Sequence, residues 1–270
     1  MPELRFSSLP KFRPASGLTA LLGLAIGGAA LLLGARRYRE GLLLAGAAHA
    51  TFCTTAAIPN HPLTGPLVRR FRTESREVWL TIDDGPHPDT TPGILETLRR
   101  HGAKATFFVI GRNAANHPEL LQAIVRDGHS LGNHTASHPA ASFWSAGPGR
   151  IAREIDGATA AVESAGLPAP RYFRSPVGMT NLFVAPALAN RGLLRIGWSS
   201  RAFDTRPQSP AAVVTRIMRT CRPGAIILLH ERGPAAAGRS LGPLLIRLEE
   251  NGYRCILPPD DALIVEGACS

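Results

Sequence analysis

Cysteine is scarce: the 270 residues hold four, at Cys53, Cys221, Cys255 and Cys269. No two stand at the short spacing of a structural zinc site, which excludes a module folded around Cys-ligated metal. Whether Cys221 and Cys255 pair is left open by the sequence. An internal repeat is lacking, which excludes a solenoid or propeller, and low complexity is confined to the apolar N-terminal part. Acidic residues are nearly absent from positions 1–76, where ten Lys or Arg face three acids, against twenty facing seventeen beyond. Of the formal charge of +10, the N-terminal segment therefore holds +7 and the remainder +3. A nucleic-acid-binding protein should carry its basic surface on the folded domain; this distribution fits charges flanking a membrane segment instead.

What is present begins with apolar sequence. Gly17 to Ala35 is uncharged and rich in Leu, Ala and Gly, and a run of about 20 such residues matches a bilayer core. No small-residue cleavage site precedes the next charges, so an uncleaved anchor is expected rather than a signal peptide. After Arg36, Arg37, Arg39 and Glu40 comes a second apolar stretch, Gly41 to Ile58, readable as a second span or an interfacial helix. The expected organisation is a membrane anchor over 1–60, a basic linker over 61–76 and a catalytic domain over 77–270. At this length one large core plus an appendage is expected.

Two short motifs carry chemistry. TIDDGP, Thr81 to Pro86, sets Asp83 beside Asp84, and HTASH places His134 and His138 four residues apart. A divalent metal with nitrogen and oxygen ligands polarises a carbonyl and acidifies water, and a neighbouring carboxylate left free can take that water's proton. Adjacent strand residues point to opposite faces, so the doublet can serve both roles only where the chain turns, as Gly85-Pro86 suggests. Alone, each motif has a plain alternative: Asp-Asp-Gly is ordinary turn sequence, and Pro139 makes a loop at least as fitting as a helix for the histidine pair.

Together, and in this order, the motifs resemble those of the polysaccharide deacetylase family, the carbohydrate esterases built on the domain of the nodulation chitooligosaccharide deacetylases. The resemblance runs from about Glu77 to about Pro259 and follows the family pattern almost throughout Lys104 to Pro139. It implies that Asp83 is the general base and that Asp84, His134 and His138 ligate the metal, while His117 and His129 read as structural or exposed. The family's third motif corresponds to FRSPVG: Arg174 would orient the base and keep it charged. The Val177 N–H, after Pro176, would face the oxyanion, though the family's aromatic ring is lost there. In GAIILLHE, His230 would protonate the leaving amine and Leu228 would line the acetyl pocket. The fourth motif departs most. In WSSRAFDT, Asp204 survives to orient His230, but Arg201 stands where an acid is usual and Thr205 replaces a Trp.

Strands and helices alternate along the rest of the chain. Strands are expected over Val78–Ile82, Ala105–Ile110, Tyr172–Arg174, Leu194–Ser199, Ala225–His230 and Arg254–Leu257. Helices are expected over Pro92–His101, Pro118–Asp127, Pro148–Ala165, Leu182–Arg191, Pro210–Arg219 and Leu241–Asn251. Such alternation implies an α/β fold with a parallel sheet, and the resemblance makes it a distorted, incomplete (β/α) barrel behind an N-terminal anchor helix or helical hairpin. The activity implied is metal-dependent removal of N-acetyl groups from N-acetylated amino sugars of a cell-envelope glycan. Zn²⁺ is the foremost cofactor, with Co²⁺, Mn²⁺ or Ni²⁺ as alternatives. The expected partners are the glycan or a lipid-linked sugar and the membrane, with no nucleic acid and no obligate protein partner. The catalytic domain is expected on the outer side of a bacterial inner membrane, although the charge rule alone would gather both ends of a hairpin inside. Three other readings stand beside it: a deformylase or deacetylase of a lipid-linked sugar, an inert glycan-binding relative, and a non-haem Fe(II) oxygenase, which shares the two-His, one-carboxylate set.

Overall fold

The computed structural model describes residues 16–233 and 237–267, with side chains from Leu21 onward. Arg5, Lys11, Arg13 and Cys269 lie outside the described residues. Two helices come first, α1 (Ser16–Gly34) and α2 (Tyr38–Ala57), joined by a tight turn with Arg36 at φ 60°. They form a hairpin with Leu22 and Ala48 buried in its contact. No described helix is long and apolar enough to cross a membrane. The hairpin nonetheless exposes Leu24, Leu31 and Leu43 by 76, 78 and 74%.

Where a basic linker is expected, the chain builds a 3₁₀ turn at Pro62–Thr64 and strand β1 (Leu67–Phe71), which lies within the sheet. The reason is the pattern beneath the charges: Leu67, Val68 and Phe71 are buried while Arg69 and Arg70 are not, and Arg69 pairs with Glu266. The alternating part follows as β2 (Glu77–Gly85), α3 (Thr91–Arg100), β3 (Ala105–Val109), α4 (Gly111–Asn116), α5 (Pro118–Arg126) and β4 (Ser130–Asn133). Next come α6 (Pro148–Ser164), β5 (Tyr172–Phe173), α7 (Val184–Ala189), β6 (Leu194–Arg195), β7 (Ser200–Arg201), α8 (Pro210–Thr220) and β8 (Ala225–His230). The chain ends in α9 (Ala237–Glu250), β9 (Arg254–Cys255) and β10 (Leu263–Glu266).

The sheet runs β10-β1-β8-β2-β3-β4-β5-β6, with β9 beside β2. Pairing is parallel from β8 across β2 to β6, and β1 is antiparallel to both its neighbours. Parallel neighbours need crossovers, which the helices supply. After β6 the chain bridges β1 at Ile196 and Val68, then pairs with β8 as β7, Ser200 opposite Ile227. The sheet therefore curls back on itself through two-residue strands, a distorted and incomplete (β/α) barrel.

Strand alternation divides the core. Val78, Leu80 and Ile82 of β2 pack outward with Ile94, Leu98 and Leu244 of the helices. Trp79 points inward with Val68, Phe108, Ile226 and Leu228. Its indole N–H donates to Thr106 Oγ1 at 2.8 Å, so this buried polar edge is satisfied. Cys221 and Cys255 are buried free thiols of the outer cluster.

Several expected elements are shorter than read, two of them by four residues. The strand expected over Leu194–Ser199 ends at β6, and β7 forms only beyond that range. The Gly197 N–H is drawn to the Val68 carbonyl at 2.7 Å, and the Ile196 and Gly197 carbonyls accept from Arg174. The helix expected over Leu182–Arg191 contracts to α7, because the Asn181 side chain accepts the Phe183 N–H and holds the chain in a turn.

Candidate metal centre and active site

β2 runs past its expected end at Ile82 and carries both acids of TIDDGP. There its ladder with β3 slips: Asp83 faces Phe108 and Gly85 faces Val109, leaving Asp84 unpaired between them. Asp84 takes φ 75°, a left-handed conformation that Asp tolerates better than most residues. This bulge cancels the strand's alternation, and both carboxylates line one pocket.

HTASH is a loop. Thr135 and His138 sit at φ 68° and 53°. Asn133 Oδ1 accepts the Thr135 N–H at 2.9 Å, and Thr135 Oγ1 accepts the His138 N–H at 3.1 Å. From α6, Glu154 accepts the Ser137 N–H at 2.9 Å and the Ser137 hydroxyl at 2.7 Å.

These two turns bring three ligating groups together. Asp84 Oδ1 lies 3.5 Å from His134 Nε2 and 3.4 Å from His138 Nε2, and one ligand atom from each residue falls within 4.8 Å of the others. His134 Nδ1 meets the Arg174 carbonyl at 2.8 Å. A carbonyl only accepts, so Nδ1 carries a proton and Nε2 faces the cluster, the arrangement by which metal-bound imidazoles are oriented. Asp84 Oδ1 is buried without a hydrogen-bond partner. An orphaned anionic oxygen flanked by two imidazole nitrogens fits a divalent cation.

The electrostatics agree. Burial would raise the Asp84 carboxyl, but His134, His230 and His138 outweigh it and hold it well below the usual range. Burial, then the neighbouring His134, pushes His138 down to about 4, so its ring is neutral and able to ligate. Burial disfavours charge on His134, yet Asp83 and Asp84 raise it above the ordinary imidazole value. Asp84 is thus ionised and His138 neutral, the states in which both can ligate a cation.

Asp83 is buried beside this centre. Arg174 donates to Asp83 Oδ1 at 2.7 Å and to Thr81 Oγ1 at 2.8 Å, and its other nitrogens donate to Ile196 and Gly197 carbonyls at 3.2 and 2.9 Å. Its guanidinium lies 4.1 Å over the Phe108 ring. Five fixed contacts leave it little freedom. In the parallel ladder Asp83 stands directly opposite His230. Asp204 clamps His230 from behind: one oxygen accepts the His230 N–H at 2.7 Å, the other meets Nδ1 at 2.9 Å. Burial alone would lower His230, but this carboxylate raises it above the ordinary imidazole value.

Between them opens a pocket of about 190 Å³, lined by Asp83, Asp84, His134, His138, Val177, Gly178, Trp198, Arg201, Thr205, Leu228 and His230. Every site residue named from the sequence except three lies among them. Asp204 and Arg174 act from behind, and Pro176 is buried outside the lining. Val177 takes φ 51° at the rim. His129 accepts the Ala105 N–H at 3.3 Å, a structural contact, and His117 stands at the start of α5.

The sequence pattern of the polysaccharide deacetylase family matches residues 71–195. A chitooligosaccharide deacetylase of Bradyrhizobium sp. is 40% identical over 167 residues, covering 62% of this chain and 75% of that protein. The chain belongs to the polysaccharide deacetylase family. Within it, a solved family 4 carbohydrate esterase from Streptomyces lividans, in complex with acetate, is 31% identical with a TM-score of 0.63. That match covers 70% of this chain and 97% of that one. A family pseudoenzyme from Bacillus anthracis is 27% identical with a TM-score of 0.64, covering 70% and 66%.

Sequence reading missed the supports of this deacetylase site. Asn133, two residues from Thr135, and Thr81, inside TIDDGP, sat within reach of the motifs; Glu154 lies on a distant helix and left no signal.

Proposed function

We propose that this chain is a metal-dependent hydrolase removing N-acetyl groups from N-acetylated amino sugars of a cell-envelope polysaccharide or oligosaccharide. The observation that carries the proposal is the pairing of Asp83 with Arg174 and His230 with Asp204, on adjacent strand ends, either side of the Asp84, His134 and His138 cluster.

Those three residues would hold the metal, Zn²⁺ foremost, with Co²⁺, Mn²⁺ or Ni²⁺ also suited to the donor set. A divalent ion there supplies polarisation of the acetyl carbonyl and a more acidic water. Arg174 occupies Asp83 Oδ1, which leaves Oδ2 to take the proton of the attacking water. The Val177 N–H, held by the turn at Pro176, faces the developing oxyanion, and Leu228 packs against the acetyl methyl. Asp204 keeps the proton of His230 on Nδ1, so Nε2 of the imidazolium delivers a proton to the departing amine. Each such proton transfer contributes a factor of about 10² to 10⁴.

A second reading, a lipid-linked sugar as substrate, is favoured by where the hairpin ends. Just after α2, Asn60 donates its N–H to the Gly178 carbonyl at 3.0 Å and its side-chain amide to the Trp198 carbonyl at 3.5 Å. Gly178 and Trp198 both line the pocket. We place the hairpin at a membrane, with the catalytic domain on the outer side. Its exposed leucines and the arginines at its turn support that seating.

The test is the appearance of free amines on N-acetylglucosamine oligomers. It should stop on chelation and return on adding Zn²⁺; amines formed at the same rate in excess chelator would contradict metal dependence, and none formed with metal bound would contradict the activity on oligomers.

A further inference from the structure

One charge in the pocket has no part in the reaction just described. Arg201 lines it beside Thr205 and His230. Its Nε is buried without a hydrogen-bond partner. The guanidinium is held by rings instead, 4.0 Å over Phe203 and 5.2 Å over Trp198, so its position is fixed while its Nε–H stays unclaimed. Leaving a buried donor unmet is costly, and residues that accept that cost cluster where a ligand completes the bond.

The neighbourhood adds to the field. Arg206 and Arg216 stack on the same Phe203 ring at 5.1 and 5.7 Å. The nearest acid, Asp204, is already committed to His230 through both oxygens. Asp83 is likewise held by Arg174. Arg201, which lines the pocket, is therefore backed by two further guanidiniums on the same aromatic ring.

We propose that Arg201 binds an anionic group, a carboxylate or a phosphate, carried by the sugar whose N-acyl group is removed. The inference rests on the deacetylase reading and narrows its substrate class. A guanidinium suits both oxyanions because its planar fork can donate two parallel hydrogen bonds to either. Neutral oligomers would enter the same pocket without that anchor.

The full chain, loaded with Zn²⁺, should be compared on three substrates: an N-acetylglucosamine oligomer, its carboxylate-bearing counterpart, and N-acetylglucosamine 1-phosphate. At least one anionic substrate should exceed the neutral one in kcat/KM by tenfold or more, and which one it is separates the two sources. Arg201→Gln should cut that preference by about ten- to a hundredfold, the scale of a lost hydrogen bond to a charged group. Arg201→Lys, which keeps the charge but loses the fork, should restore part of it. Turnover that favours the neutral oligomer, or a preference untouched by Arg201→Gln, would overturn the inference while leaving the deacetylase reading intact. If no substrate is turned over, the deacetylase reading falls. Equilibrium binding of inorganic phosphate then decides the matter: binding weakened by Arg201→Gln upholds the anion site, and binding equal in both proteins, or absent, overturns it.

Discussion

Asp83 and Asp84 are chain neighbours with opposite needs. One is paired with a buried guanidinium, while the other keeps a bare oxygen toward two imidazoles. Arg174 is 1% exposed, and removing one member of a buried ion pair leaves the other charge uncompensated. Arg174→Leu should therefore lower unfolding free energy by about 3–5 kcal/mol, read from denaturant midpoints; a loss below about 1 kcal/mol would show the pair is not what holds Asp83. His230 gives a second prediction. Its pKa lies above the ordinary imidazole value because of Asp204, so it stays protonated, and competent as an acid, to higher pH. The alkaline limb of kcat/KM should fall above pH 6.5, the ordinary imidazole value, and Asp204→Asn should move it down. A limb unmoved by that substitution would remove His230 from the acid role. At this scale the sequence was informative, because motif residues keep their order and spacing. Arg201 was visible as a departure, but its stacking on Phe203 was not.

The turns decide how those residues meet. Alternation along β2 should have sent Asp83 and Asp84 to opposite faces, and only the bulge at Asp84 brings both to the pocket. Gly85 makes room for that bulge: a Cβ there would stand 2.3 Å from Glu231 Oε2. Glu231 is itself buried, bound to Thr91 at 2.6 Å through its other oxygen, and raised to about 7 by burial. Gly85→Ala should displace the strand end and weaken Zn²⁺ binding by about ten- to a hundredfold, the usual cost of disturbing what orients a ligand. Competition with a chromophoric chelator measures it, and unchanged affinity would show the bulge is not set by this contact. The element boundaries show why the rest was illegible. β6 ends early because Arg174 and β1 claim its backbone, and β1 was hidden under four arginines over Arg69 to Arg76. Both outcomes depend on partners more than a hundred residues or a whole crossover away, which local periodicity does not register.

Across the whole molecule, the curled sheet aligns the ends of β2 and β8 so that Asp83 and His230 stand side by side, with the loop after β4 bringing His134 and His138 to the same pocket. The alternation of strands and helices anticipated the parallel sheet, and the family resemblance its incomplete barrel; the return of β7 to β8 was readable from neither. The chain just after the hairpin of α1 and α2 is bonded to Gly178 through Asn60. The full chain should float with anionic lipid vesicles, and recovery in the soluble fraction alone would contradict a membrane seat. The central claim is that this pocket hydrolyses N-acetyl groups with Asp83 as base. It is tested most directly by acetate release from N-acetylglucosamine oligomers, comparing the Zn²⁺-loaded protein with Asp83→Asn at equal metal occupancy. The account predicts release by the first and none above background by the second; equal release from both would contradict it.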